Sequence, residues 1–179
     1  HMSGATEVYR IGGVPAIAAL AFGTRSIPAV DKIVGPGGAY VAAAKRLVYG
    51  HVAVDMVAGP SEIAVLADAT ARPDLVAADL LSQAEHGTGR ERVLLATDSE
   101  PLARAVRDEL ARQAARLPRQ PALRRVLTRN ALLVVAPRIE EAAEIINRFA
   151  PEHLEILTRN PVALARRVQC AGAIFLGHW

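Results

Sequence analysis

The chain has 179 residues, of which 51% are hydrophobic, a length that fits one domain or two small ones sharing an interface and an apolar content that excludes global disorder. Its formal charge is +3, with an isoelectric point near 9.5. Aromatics make up only 4% of the chain and none lies among the arginines from Arg104 to Arg129, so there is no base-stacking platform for nucleic acid.

Those arginines are Arg104, Arg107, Arg112, Arg116, Arg119, Arg124, Arg125 and Arg129. Asp108 and Glu109 are interspersed with them, and the segment reads as a solvated helical face. The single cysteine, Cys170, has no partner for an intramolecular disulfide and reads as a small buried residue ahead of a strand. No secretory signal opens the chain, and His1-Met2 has the look of a cloning remnant. Arg25, Asp31 and Lys32 interrupt the early apolar stretch before it reaches the roughly 18 residues of a spanning helix. The expectation is a cytoplasmic protein with no membrane partner.

In chain order, Ile11 to Phe22 (IGGVPAIAALAF) reads as a helix entered through Gly12-Gly13, with Pro15 near its first turn. Lys32 to Val34 reads as a strand, Gly35-Pro36-Gly37-Gly38 as a glycine turn, Ala39 to Val48 as a helix and Val52 to Asp55 as a strand. The alternation continues with strand 63–67, helix 73–85, strand 93–96, helix 101–117, strand 132–135 and helix 140–149. It ends with strand 154–157, helix 162–168 and strand 173–176. Short apolar strands alternating with helical patterns predict an α/β fold of Rossmann-like parallel sheets with flanking helices. The turn-like Ala58-Gly59-Pro60-Ser61 divides it into a small unit, residues 3–60, and a larger one, residues 61–179. No internal repeat is visible beyond the alternation.

Three places carry residues capable of chemistry. Gly35, Gly37 and Gly38 follow a strand and open a helix, where backbone N–H groups cradle phosphates, and Asp55 ends the next strand at a spacing suited to a ribose hydroxyl. The bland alternative is a plain glycine turn with Asp55 as a hinge carboxylate, because Tyr40 occupies the third glycine position of the dinucleotide fingerprint. Gln83 and His86, three residues apart at the end of a helix, project from one face and suit a shared metal ion. A capping histidine beside a surface glutamine is the alternative. Glu152-His153 follows Pro151 at a helix-to-strand junction, where an acid and an imidazole can exchange protons near neutral pH. Here the alternative is a helix-terminal histidine paired with a carboxylate.

Seven ordered segments carry a resemblance that no single motif does. They are Gly12-Gly13, Ala16 to Thr24 (AIAALAFGT), Val30 to Gly37 (VDKIVGPG), Ala58 to Glu62 (AGPSE), Asp79 to His86 (DLLSQAEH), Phe149 to Glu155 (FAPEHLE) and Ala171 to Gly177 (AGAIFLG). Collinear across nearly the whole chain, they closely resemble histidinol dehydrogenase. The resemblance implies a zinc-dependent enzyme that uses two NAD molecules in turn to oxidise an amino alcohol, through an aldehyde, to a carboxylate. By that similarity Gln83 and His86 match two zinc ligands, Ser61 a substrate contact, and Glu152 and His153 the catalytic pair. The unit 3–60 would be the cofactor side, and the unit 61–179 would carry the metal and catalytic motifs.

The chain also departs from the family pattern. Pro15 stands where the family usually has a glutamine that contacts NAD, and Gly38 where it usually has an asparagine. Both changes remove hydrogen-bonding side chains and weigh against NAD binding in the family's manner. Gly87 replaces the acid that commonly follows the SQAEH segment. The family's remaining zinc ligands, an aspartate soon after the AGAIFLG strand and a later histidine, have no match before Gly177-His178-Trp179, and the family's N-terminal portion has none either. The expectation is therefore a truncated family member that keeps half the zinc site, with sheet edges left open to self-association or to a complementing chain. The alternatives are a repurposed member doing acid/base chemistry without NAD, and a noncatalytic interaction domain.

Overall fold

The structure, a computed structural model, describes residues 4–57, 59, 61–86 and 88–177. His1-Met2, two positions of the predicted 58–61 turn, Gly87 and His178 lie outside the described residues. Two compact units divide between residues 59 and 60.

In the smaller unit, helix α1 (Gly13–Phe22) precedes strand β1 (Lys32–Ile33), helix α2 (Ala39–Val48) and strand β2 (Ala53–Val54). The two strands pair in parallel, and Ile17, Ala21, Ile33, Ala44, Val48 and Val52 form the core. Gly23 ends α1 with φ +75, the left-handed geometry that glycine adopts at no steric cost.

The larger unit contains β3 (Glu62–Ala67), α3 (Pro73–Ala84), β4 (Arg92–Thr97), α4 (Glu100–Ala114), α5 (Gln120–Arg129), β5 (Ala131–Val135), α6 (Ile139–Phe149), β6 (His153–Leu157), α7 (Pro161–Ala165) and β7 (Ala173–Leu176). Its five strands are all parallel, in the order β5-β4-β3-β6-β7. The chain winds outward from β3 to β5, returns through α6, and winds the other way through β6 and β7. Along the central strands, alternate side chains enter two separate cores. Ile63, Val65 and Leu157 pack with α3, α4 and α5, while Leu66, Leu154 and Ile156 pack with α6 and α7. Fully buried on both faces, these strands read as continuous apolar runs.

The α/β class with parallel sheets is as expected, and three local expectations are corrected. The sequence pattern assigns no element to residues 118–131, yet α5 forms there. Pro121 fits its first turn, but only Leu123 and Val126 are buried along it, too few for the sequence to show helical periodicity. Helix α7 stops at Ala165 rather than at Val168, because Asn147 takes over the following turn: its amide donates to the Arg167 carbonyl (2.9 Å) and its Oδ1 accepts the Gln169 N–H (2.7 Å). That turn leaves Cys170 exposed instead of buried. The arginines of α4 lie on a solvated face, with Arg104, Arg107 and Arg112 paired to neighbouring acids on the same helix.

Candidate functional site at the amino edge of the larger sheet

A right-handed strand–helix–strand unit returns the chain to the edge where its strands begin. The C-terminus of α3 and the starts of β3 and β6 therefore share one edge, and the pairing of Ile63 with His153 sets those two strands level. Ser61, Gln83, His86, Glu152 and His153 all fall there.

Glu152 is placed by its backbone. Ala150 ends α6 in the left-handed region (φ +51), which turns the chain sharply before Pro151. The Pro151 carbonyl accepts the Gly172 N–H (3.0 Å) and the Glu152 carbonyl accepts the Ala173 N–H (2.9 Å), fastening this turn to the start of β7. A Cβ on Gly172 would sit 2.6 Å from the Glu152 carbonyl oxygen, so the glycine of the AGAIFLG segment is a requirement of close approach. The Glu152 carboxylate accepts the Glu62 N–H (3.4 Å), and its Oε2 lies 3.9 Å from His153 Nδ1. That separation is too long for a hydrogen bond, and Nδ1 is buried without a partner among the described residues. The imidazole is therefore held next to a carboxylate but not engaged by it. Ser61, at the entrance to β3, accepts the Arg92 N–H on its carbonyl (3.2 Å).

Gln83 is 6% exposed, and its amide nitrogen is buried with no partner among the described residues. Amide nitrogen and oxygen are interchangeable by a flip, so either can be turned to this position. His86 does not share the helical face with Gln83 as expected. α3 ends at Ala84, and His86 lies in the turn beyond, exposed, with Nδ1 3.3 Å from the Ser82 carbonyl oxygen. Nε2 is left as its free nitrogen. Arg119 donates to the carbonyls of Glu85 and His86 (3.0 Å each), placing a cation at the C-terminus of α3. Ser82, Glu85, His86, Pro118 and Arg119 line an open cavity of about 430 Å³. Sequence reasoning missed this role of Arg119, because 33 residues separate it from His86 and nothing in its arginine run sets it apart.

In donor chemistry, an amide oxygen and an imidazole nitrogen are both groups that zinc can take, although the two side chains leave different faces of the chain. No group of three or more His, Cys, Asp and Glu gathers among the described residues, so they amount to half of a tetrahedral set.

Open parallel sheets usually bind ligands at their carboxyl edge, where the strand order reverses. Between β3 and β6 that edge is bridged by a hydrogen bond. The Asp68 carboxylate accepts the N–H groups of Thr70 (2.9 Å) and Arg159 (2.8 Å), stapling the two strand ends together.

In the smaller unit, Gly35 (φ +134) donates its N–H to Asp55 (2.8 Å) and accepts the Lys45 ammonium on its carbonyl (2.7 Å). Lys45 also pairs with Asp55. The Gly35 N–H, the Lys45 ammonium and the Met56 N–H hold the Asp55 carboxyl well below the usual carboxylate range. Asp55 thus ties the glycine turn and α2 to the end of β2, the turn role. A Cβ on Gly37 would meet Val41 Cγ1 at 2.3 Å, so this glycine serves close packing against α2. Gly38, the N-cap of α2, offers backbone alone, and Pro15 is exposed in the first turn of α1. The fit to NAD is limited to backbone groups.

The family model for histidinol dehydrogenase matches residues 1–179. The chain belongs to the histidinol dehydrogenase family. It is 54% identical over 176 residues to the histidinol dehydrogenase of Geobacillus kaustophilus, covering 98% of this chain and 41% of that protein. To the enzyme of Rhodopseudomonas palustris it is 53% identical over 177 residues, with 99% and 41% covered. The crystal structure of histidinol dehydrogenase from Elizabethkingia anophelis matches it with a TM-score of 0.92 at 41% identity, over 98% of this chain and 40% of that one. The chain thus spans about two fifths of the length of these histidinol dehydrogenases. Two family segments, 79–86 and 149–155, supply the groups at the amino edge, and a third, 171–177, supplies the glycine that lets Glu152 sit where it does.

Proposed function

We propose that this chain carries the acid/base pair and two zinc ligands of an NAD-dependent dehydrogenase that oxidises L-histidinol, through the aldehyde, to L-histidine in the cytoplasm. The observation that carries the reading is the unengaged pair at the start of β6. Glu152 Oε2 lies 3.9 Å from a buried, unpartnered His153 Nδ1, at the same sheet edge as the unsatisfied amide of Gln83.

Zinc, when bound, supplies a Lewis acid that polarises and orients the substrate hydroxyl and amine. Gln83 would hold it through Oε1 and His86 through Nε2, since the Ser82 carbonyl occupies Nδ1. NAD supplies the hydride acceptor of both oxidations. His153 takes the alcohol proton on its imidazole, with the Glu152 carboxylate alongside. In the second oxidation Glu152 takes a proton from the water that adds to the aldehyde. Ser61, at the mouth of β3, contacts the substrate, a small amino alcohol.

A hybrid tests this. Residues 4–177 replace the matching segment of the Geobacillus kaustophilus relative, and NADH formation is followed with L-histidinol and zinc. The expected result is histidinol-dependent NADH, reduced about 10²- to 10⁴-fold by Glu152→Gln or His153→Asn, with aldehyde accumulating in Glu152→Gln. A folded hybrid that stays silent while its parent turns over contradicts the proposal.

Pro15 and Gly38, which offer no hydrogen-bonding side chain, favour a second reading, a repurposed member doing acid/base chemistry without NAD. Under it the silent hybrid gains NADH formation when Pro15→Gln and Gly38→Asn are introduced together.

A further inference from the structure

At its C-terminus α3 leaves the regular helical ladder. The His86 N–H bonds to the Gln83 carbonyl (3.3 Å) instead of that of Ser82, which leaves the Ser82 carbonyl as an orphan acceptor. The His86 ring takes it, with Nδ1 3.3 Å away. A carbonyl can only accept, so Nδ1 carries the proton and Nε2 keeps its lone pair. Just beyond, the carbonyls of Glu85 and His86 both accept from Arg119 Nη1 (3.0 Å each), and among the described residues no other group donates to them. We propose that Arg119 is a positioning residue for His86: by gathering these two carbonyls it fixes the turn in which the ring reaches back to Ser82 and leaves Nε2 open for zinc.

Arg119 is anchored from its own side. The Gln120 amide donates to the carbonyls of Ala114 and Leu117 (2.6 Å each), closing the connection between α4 and α5, and Arg119, the N-cap of α5, accepts the Leu123 N–H on its carbonyl (3.1 Å). Beneath that connection Leu80, Leu81 and Ala84 of α3 share one core with Leu110 and Ala114 of α4 and Leu123 of α5. The Gln113 amide adds a tie from α4 to the Asp74 carbonyl at the start of α3 (2.9 Å). The guanidinium thus meets the turn from elements already packed against the helix that carries it. Its two bonds are charge-assisted, and they place a cation at the negative end of the α3 dipole. On the far side of the turn Glu91, 1% exposed, accepts the N–H (2.9 Å) and the hydroxyl (2.7 Å) of Thr88. The turn is therefore held at both ends, with Arg119 at the end that bears His86.

The proposal rests on the reading of His86 as a zinc ligand, but its first test needs no metal. Nitrogen-15 NMR of the metal-free full chain, with labelled histidine and at a pH where the rings are neutral, shows which ring nitrogen carries the proton, and His86→Gln identifies the signal. The expected result is the Nδ1–H form for His86 in the wild type and a shift toward the Nε2–H form, which a solvated imidazole prefers, in Arg119→Ala. Arg116→Ala removes the same charge from the same connection but no bond to the turn, and leaves the signal in place. Zinc alone is then added to the hybrid enzyme, and competition with a chelator gives an affinity expected to fall about 10- to 100-fold in Arg119→Ala and to hold in Arg116→Ala. A wild-type His86 in the Nε2–H form, a tautomer unmoved by Arg119→Ala, or one moved equally by Arg116→Ala overturns the proposal. So does an equal zinc affinity with and without Arg119 in a hybrid that binds zinc. A hybrid that takes up no zinc contradicts the catalytic reading, while the metal-free tautomer still decides whether Arg119 sets the ring.

Discussion

At the scale of single residues, the site depends on backbone positions as much as on the groups that would do chemistry. Glu152 reaches the edge of β3 because Ala150 turns left-handed and because Gly172 lets β7 approach the Glu152 carbonyl. A Gly172→Ala substitution places a methyl 2.6 Å from that oxygen. It is expected to destabilise the chain by about 1 to 3 kcal/mol, as overpacking does, measured by urea denaturation, and to shift the Glu152 and His153 resonances. A stability change near zero with unmoved resonances would contradict the close-approach argument. Glu152, His153, Gln83 and His86 could be singled out from sequence because acid–histidine and glutamine–histidine spacings are chemically unusual. The separation of Gln83 from His86 could not, since it depends on α3 ending at Ala84.

At the scale of elements, two carboxyls bear on β6, Asp68 at the carboxyl edge and Glu155 within the strand, and their contributions to stability respond to pH in opposite directions. At the carboxyl edge Asp68 is desolvated, which raises its pKa, but the hydrogen bonds from Thr70 and Arg159 outweigh this and leave it below its usual value. A depressed carboxyl contributes stability that is present above its unfolded pKa and lost as pH falls through the folded one. Asp68→Ala is therefore expected to cost about 1 kcal/mol near neutral pH, a difference that shrinks in acid. In the middle of β6, between Val65 and Phe175, burial and the neighbouring Asp79 raise Glu155 to about 8, so its contribution is fully present below the ordinary glutamate range and lost as pH rises through about 8. Urea midpoints recorded across pH should fall at the alkaline end for the wild type and stay level there for Glu155→Gln. An unchanged alkaline fall in the variant would assign the loss to another group. The alternation of elements was legible because strands buried on both faces are continuous apolar runs. Helix α5 was hidden because its buried stripe is two residues wide.

At the scale of the whole molecule, both outer strands of the larger sheet present apolar side chains. Leu132 and Val135 on β5 and Ile174, Phe175 and Leu176 on β7 are each more than 40% exposed, and open edges of this kind recruit further strands. The chain on its own is expected to self-associate, with light scattering giving a mass above that of the 19.0 kDa monomer. A clean monomer would show that these edges are tolerated. Family membership was legible in seven collinear segments, while the edge of the sheet on which they meet was not, because that follows from helix direction and strand register. The central claim is that the 79–86 and 149–155 segments build one site at the amino edge. It is tested most directly by zinc anomalous diffraction from crystals of the hybrid enzyme. The account predicts zinc about 2.0 to 2.3 Å from Gln83 Oε1 and His86 Nε2, with Glu152 and His153 facing the same cavity. Zinc bound elsewhere, or Glu152 and His153 opening onto a different face from Gln83 and His86, would contradict it.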